Sequence, residues 1–190
     1  VADASKVYGA ANSTITGAAV SGLGAANVTA SLGSAVTELS DAGEYLYSSP
    51  NVLSVTNKVV GRTTFADFST GKFTITPKAL TVALQGTTAN PLTKVYNGKE
   101  SLTLGSGNFA LSGFVGEQGV GAALNGVTSG SFNNANVLQA NTVSANVGEG
   151  TLALGQGVKA SNYSLPIAPV TAAGTITAKA VQVTGLTAQN

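Results

Sequence analysis

Hydrophobic and polar residues alternate over three stretches of the chain: Lys72–Val82 (KFTITPKALTV), Ser101–Leu104 (SLTL) and Gly174–Val183 (GTITAKAVQV). Residues i and i+2 share one face of a strand. Phe73 and Ile75, and beyond Pro77 also Leu80 and Val82, are therefore expected to point inward. Pro77 has no N–H to give to a ladder and belongs at a strand end or edge. Gly, Asn and Ser clusters separate the runs, GSGN at Gly105–Asn108 and SFNNAN at Ser131–Asn136, and these are turn chemistry. Helical spacing shows best over Ala30–Leu39, where Leu32, Val36 and Leu39 recur while Gly33 and Thr37 weaken the segment. The pattern predicts a mostly β protein with at most one short helix.

A longer-range pattern lies over the local one. KVYGA at Lys6–Ala10 is followed much later by GKFTITPKALTV from Gly71, and KVYNG at Lys94–Gly98 much later by GTITAKAVQV from Gly174. The heads, Lys6 and Lys94, are 88 residues apart and the tails, Gly71 and Gly174, are 103 apart. One supersecondary design used twice, with extra residues in the second copy, accounts for this. It divides the chain into two tandem β-rich modules, sandwich or β-grasp-like, over 1–78 and 79–180, joined through the KALTV strand, with 181–190 the first strand of a following repeat. In KVYNG, Val95 is expected to face a core, and Asn97 and Gly98 suit positive φ in a tight turn. A tyrosine precedes each tail, Tyr45 in GEYLYSS and Tyr163 in SNYSL. Such a residue is usually a core or corner side chain with its hydroxyl tied to backbone.

The same motifs carry a family resemblance. With KVYGAAN at Lys6–Asn12, SDAGEY at Ser40–Tyr45 and GKFTITPKALTV, the first copy resembles the YGX type of MBG domain. With KVYNG, LSGFVGEQGV, GSFNNANV, SNYSL and GTITAKA, the second is similar to the YDG domain. Asn97 stands where the YDG motif usually has Asp, and Ser13 where the MBG motif commonly has Pro. Both families occur as tandem modules of very large bacterial adhesins, including filamentous haemagglutinin-like proteins exported by two-partner secretion. The resemblance implies a structural stalk segment supporting adhesion, aggregation or biofilm formation, extracellular or on the bacterial cell surface. Its partners would be neighbouring repeat domains and polysaccharide or a host or matrix surface. The alternative is a specific carbohydrate- or matrix-binding module in which Tyr45, Tyr47 or Tyr163 stacks on a sugar ring. Burial of those rings would remove that alternative.

Composition narrows the chemistry. Charged residues are 9% of the chain, the net charge is +1, and Cys, His, Met and Trp are absent. Scattered single Lys and Arg give no electrostatic footprint for nucleic acid. No run of about 18 apolar residues is present to insert into a membrane as a helix, and aromatics at 6% are too few for the girdles of a membrane barrel. Without His or Cys the commonest general base, zinc ligand and nucleophile are missing, so no enzyme, cofactor or metal is expected. The chain opens on Val1 and has no Met, and reads as a piece of a longer polypeptide.

Remaining motifs read better as turns. Gly155, Gly157 and Ala160 have G-x-G-x-x-A spacing, yet Pro166 arrives too soon for a long helix and no Asp or Glu follows Glu149. Ser69 and Lys72 match S-x-x-K but lead into a strand instead of opening a helix. Asp3, Asp41 and Asp67 are too dispersed for calcium. Sequons at Asn12, Asn27 and Asn162 are as many as chance supplies. Thr74 and Thr76 alternate without the fixed short period that ice-binding ranks require. Lys6 and Lys94 are expected to project to solvent from edge strands, rather than to form isopeptide bonds with Asn.

Overall fold

The computed structural model describes residues 3–12, 28–57 and 71–185. Ser13, Asn27, Asp67, Ser69 and residues 186–190 of the expected following repeat lie outside them. The protein is mostly β and forms two compact units. The first comprises residues 1–79 together with 156–164, and the second comprises 80–155 and 165–190.

In the first unit β1 (Ala4–Val7), β2 (Val28–Leu32), β3 (Gly43–Leu46), β4 (Leu53–Asn57), β5 (Lys72–Thr76) and β6 (Lys78–Ala79) follow in order. One sheet has the order β1-β5-β3, with β1 parallel to β5 and β3 antiparallel to it, while β2 and β4 pair as an antiparallel ribbon. Strand β2 and the turns after it occupy the stretch where helical spacing is best, so no helix forms over Ala30–Leu39. Gly33 explains this locally: a Cβ there would lie 2.1 Å from the Asn51 carbonyl oxygen, because its backbone crosses directly against the 51–52 turn. Among the described residues of this unit, Tyr8, Val36, Tyr47, Val52, Phe73, Ile75 and Tyr163 are the buried apolar and aromatic side chains. Phe73 and Ile75 point inward as the alternation requires, and Pro77 falls between β5 and β6, where no ladder hydrogen bond is lost.

The second unit contains β7 (Thr81–Leu84), β8 (Thr93–Val95), β9 (Ser101–Thr103), β10 (Phe109–Ser112), β11 (Ala123–Asn125), β12 (Ser129–Phe132), β13 (Thr142–Ala145) and β14 (Thr151–Ala153). β15 (Tyr163–Ser164) belongs to the first unit, where it pairs in parallel with β6, and β16 (Val170–Ala173) and β17 (Thr175–Thr177) belong to the second. An antiparallel sheet of order β16-β13-β12-β9 is its largest, beside the pairs β7-β10, β11-β14 and parallel β8-β17. None of the described sheets closes into a barrel. One apolar cluster including Leu84, Leu92, Leu102, Phe109, Leu124, Phe132, Val143, Val147 and Ile176 fills the unit. Helical structure among the described residues of this chain is confined to 3-10 turns at Ser106–Asn108, Gly116–Gly119 and Ala160–Asn162.

Candidate functional site: lysine-capped head and tail strands

The two KVY tripeptides occupy equivalent places. In each unit the head strand runs parallel to the tail strand, with Lys6 opposite Ile75 and Lys94 opposite Ile176. The next hydrogen bonds match too: Tyr8 N–H donates to Thr76 O at 2.9 Å and Tyr96 N–H to Thr177 O at 2.8 Å. The threonine hydroxyls close the pairs, Thr76 Oγ1 donating to Lys6 O and Thr177 Oγ1 to Lys94 O, both at 3.3 Å. This register makes Thr74-Ile75-Thr76 the counterpart of Thr175-Ile176-Thr177, so Gly71 and Gly174, which open the two tails in sequence, are not equivalent.

Strand parity decides which side chains turn inward, and it corrects the expectation for Val95. Tyr8 is buried, so Lys6, two residues before it, shares its face and Val7 takes the other. Val7 and Val95 are both exposed. The lysines do not project to solvent either. Lys6 Nζ donates to Thr37 O at 2.8 Å, Ala10 O at 3.2 Å and Asn12 Oδ1 at 2.7 Å, while Asn12 Nδ2 donates to Val36 O at 2.9 Å. Lys94 Nζ donates to Lys99 O, to Ser101 O at 2.8 Å and to Asn97 Oδ1 at 3.1 Å, and lies 5.7 Å from the centre of the Phe132 ring. An ammonium has three protons, and each lysine has three oxygen acceptors, so each pins the loop after its own strand. Burial lowers the Lys6 pKa, with Glu38 opposing the shift.

Asn97 also differs from expectation. Its φ is not positive; Gly98 alone turns left-handed, at φ 75°. The Asn97 side-chain oxygen instead accepts the Lys99 N–H at 3.1 Å, an Asx turn that an aspartate would make equally well.

The three tyrosines considered for sugar stacking separate. Tyr47 and Tyr163 are buried, 4% and 6% exposed, so neither ring offers a face to a ligand. Tyr163 meets Tyr8 edge to face, with centroids 5.5 Å apart, a favourable aromatic geometry. Tyr45 is half-buried, and its hydroxyl donates to Asp41 O at 2.8 Å, the corner arrangement expected from sequence. Burial first and the Asp41 charge second raise the Tyr45 pKa; burial and then Asp3 raise that of Tyr47.

Asn108, read from sequence as part of a turn, and Asn162, read as a sequon, are both sealed pins. Asn108 accepts the Gly105 N–H at 2.9 Å and donates to Gln85 O at 2.7 Å and Asn90 O at 2.8 Å. Asn162 accepts the Ala42 N–H at 2.7 Å and donates to Asp41 Oδ1 at 2.9 Å; Lys159 Nζ reaches Asp41 Oδ2 at 2.5 Å. At 1% exposure Asn162 cannot take sugar in the folded chain, although it heads a sequon. Just before it, Gly157 at φ 81° leads into the 3-10 turn at Ala160–Asn162, so no long helix follows the G-x-G-x-x-A spacing.

The YDG domain model matches residues 76–173, just over half of the chain, from the end of β5 through β16. No curated protein and no solved structure matches the chain.

Proposed function

Because the chain belongs to the YDG-domain family, we propose that it is a structural repeat segment of a large exported bacterial adhesin, holding the adhesive parts away from the cell and supporting aggregation or biofilm formation. The first copy is, on this reading, an MBG-type module of the YGX kind, and the parent a filamentous haemagglutinin-like exoprotein at the cell surface or released from it. Its work is mechanical and not catalytic. Neighbouring repeats are its partners, and polysaccharide or a matrix surface is what the parent would meet.

The supporting observation is the parallel pairing of head and tail in each unit. When a chain is pulled through a parallel pair of this kind, the head strand is drawn toward its own start and the tail strand toward its own end. All the hydrogen bonds between them then resist together in shear instead of opening one by one. A segment that bears tension gains from this geometry. A sugar-binding role has less to rest on, since of its three candidate rings only Tyr45 retains exposed surface.

Single-molecule pulling tests the reading directly, because the chain has no cysteine of its own to compete with engineered handles. Handles at Ala4 and Pro77 load β1 and β5 in shear, whereas handles at Ala4 and Lys72 unzip them from one end. We expect a several-fold higher rupture force for the first pair. Equal forces would remove the mechanical reading, and binding on a glycan array lost with Tyr45→Ala would replace it with the ligand-binding one.

A further inference from the structure

The shared register extends past the tails. Thr76-Pro77-Lys78-Ala79-Leu80 corresponds to Thr177-Ala178-Lys179-Ala180-Val181, and Val82 to Val183. The two stretches have different surroundings. Lys78–Ala79 is a strand paired in parallel with Tyr163–Ser164, whose tyrosine covers Tyr8 and leaves it 3% exposed. The counterpart Tyr96 is 39% exposed, and no strand is formed over residues 178–185. Leu80 and Val82 are 4% and 6% exposed, while Val181 and Val183 are 85% and 73% exposed.

An open cavity of about 700 Å³ lies at this place, walled by Tyr96, Leu138, Gln139, Ala178, Lys179 and Val181. Its volume is within the usual range of binding pockets, about 300 to 1,000 Å³. It adjoins the tyrosine and the lysine that correspond to Tyr8 and Lys78, the two residues that receive Tyr163–Ser164 in the first unit.

We propose that this cavity is the seat for the Asn-Tyr-Ser segment of a second YDG module following in the same chain. The incoming tyrosine lies edge to face on Tyr96, its strand pairs in parallel with Lys179–Ala180, and Val181 and Val183 enter the new module as its first strand. The loop of the following module would complete this unit as Gln156–Ser164 completes the first unit here. The inference rests on the repeat-segment reading and names its partner: another copy of the same module.

The test is a longer chain in which residues 80–190, carrying Tyr96→Phe so that only the first copy keeps that tyrosine, are appended after Ala180, reproducing the Ala79–Leu80 junction. Nitration of Tyr96 is then followed by peptide mass mapping in the single and the extended chain. We expect at least tenfold slower modification of the first-copy Tyr96 in the extended chain, and restored reactivity when the appended copy carries Tyr163→Ala. Unchanged reactivity, or protection indifferent to Tyr163→Ala, overturns the proposal. So does protection in the single chain that grows with its concentration, which would give the seat to a copy in trans.

If the appended copy does not fold, a synthetic peptide of residues 155–166 added to the unmodified chain decides the matter. Saturable shifts of the Tyr96, Lys179 and Val181 amides, absent with the Tyr163→Ala peptide, support the seat, and their absence up to millimolar peptide overturns it. Failure here leaves the pulling result untouched. Equal pulling forces with a protected Tyr96 would sink only the mechanical reading.

Discussion

Asn108 replaces water for three backbone groups at once, the Gly105 N–H and the Gln85 and Asn90 carbonyls. Its side chain is completely buried, so Asn108→Ala strands those groups and costs about 3 kcal/mol. Denaturant titration of the variant should show the fall, and a loss under about 0.5 kcal/mol, typical of surface changes, would mean the amide is dispensable. GSGN could be read from sequence as a turn, but not that the turn's own side chain is its central plug, because one polar letter serves an exposed Asx turn and a sealed pin equally. Asp41 makes a pH-dependent contribution of definite sign. The hydrogen bonds from Lys159 and then Asn162 lower its pKa, so the folded chain holds the proton less tightly than the unfolded one. The stabilisation is fully present above the ordinary carboxylate value and is lost as pH falls below about 4. Wild type should therefore exceed Asp41→Asn in stability at pH 6, with the gap narrowing at pH 3; a gap that widens on acidification would contradict this assignment.

Strand parity was the least legible property at the scale of elements, although the strands themselves were plain. KVY places two residues with long side chains around a small apolar one. Hydrophobicity alone sends the valine inward, yet burial of Tyr8 fixes the opposite phase and brings the lysine stem in with its ammonium capped by carbonyls. The tails show a similar ambiguity. Gly71 takes φ 112°, a conformation other residues rarely adopt, so its role is local. Gly174 is required for space: a Cβ there would lie 2.5 Å from Val143 Cγ2 and 2.8 Å from the Leu92 carbonyl oxygen. Its N–H donates to Asn141 O at 3.1 Å, and the adjacent Thr175 N–H donates to Leu92 O at 3.0 Å. Gly174→Ala forces this crossing apart and should cost about 1 to 3 kcal/mol as an overpacked site. Hydrogen exchange should quicken in Thr175–Thr177 and Thr93–Val95 first. Undiminished protection there would show that the backbone yields without loss.

For the molecule as a whole, repetition made two modules readable, but the residues that complete the first are not contiguous with it. Gln156–Ser164 belongs to the first compact unit although it lies within the stretch matched by the YDG model. Alternation cannot reveal this, since a two-residue strand and a 3-10 turn leave no periodic trace and Tyr163 could serve a core on either side. The segment brings a buried ring to Tyr8, a buried amide to Ala42 and Asp41, and a cation to Asp41. Removing the ring with Tyr163→Ala takes away a large buried aromatic, a change worth about 3 kcal/mol, or a little over a hundredfold in the opening equilibrium. The effect should be confined by unit and not by sequence distance. Amides of Lys72–Thr76, about ninety residues away along the chain, should lose most of their exchange protection. Those of Thr142–Ala145, some twenty residues away, should keep theirs because their core is the cluster around Phe132 and Val143. Parallel loss in both sets would mean that the two units unfold as one. Loss in Thr142–Ala145 alone would place the loop with the second unit and remove the physical basis for one module completing its predecessor.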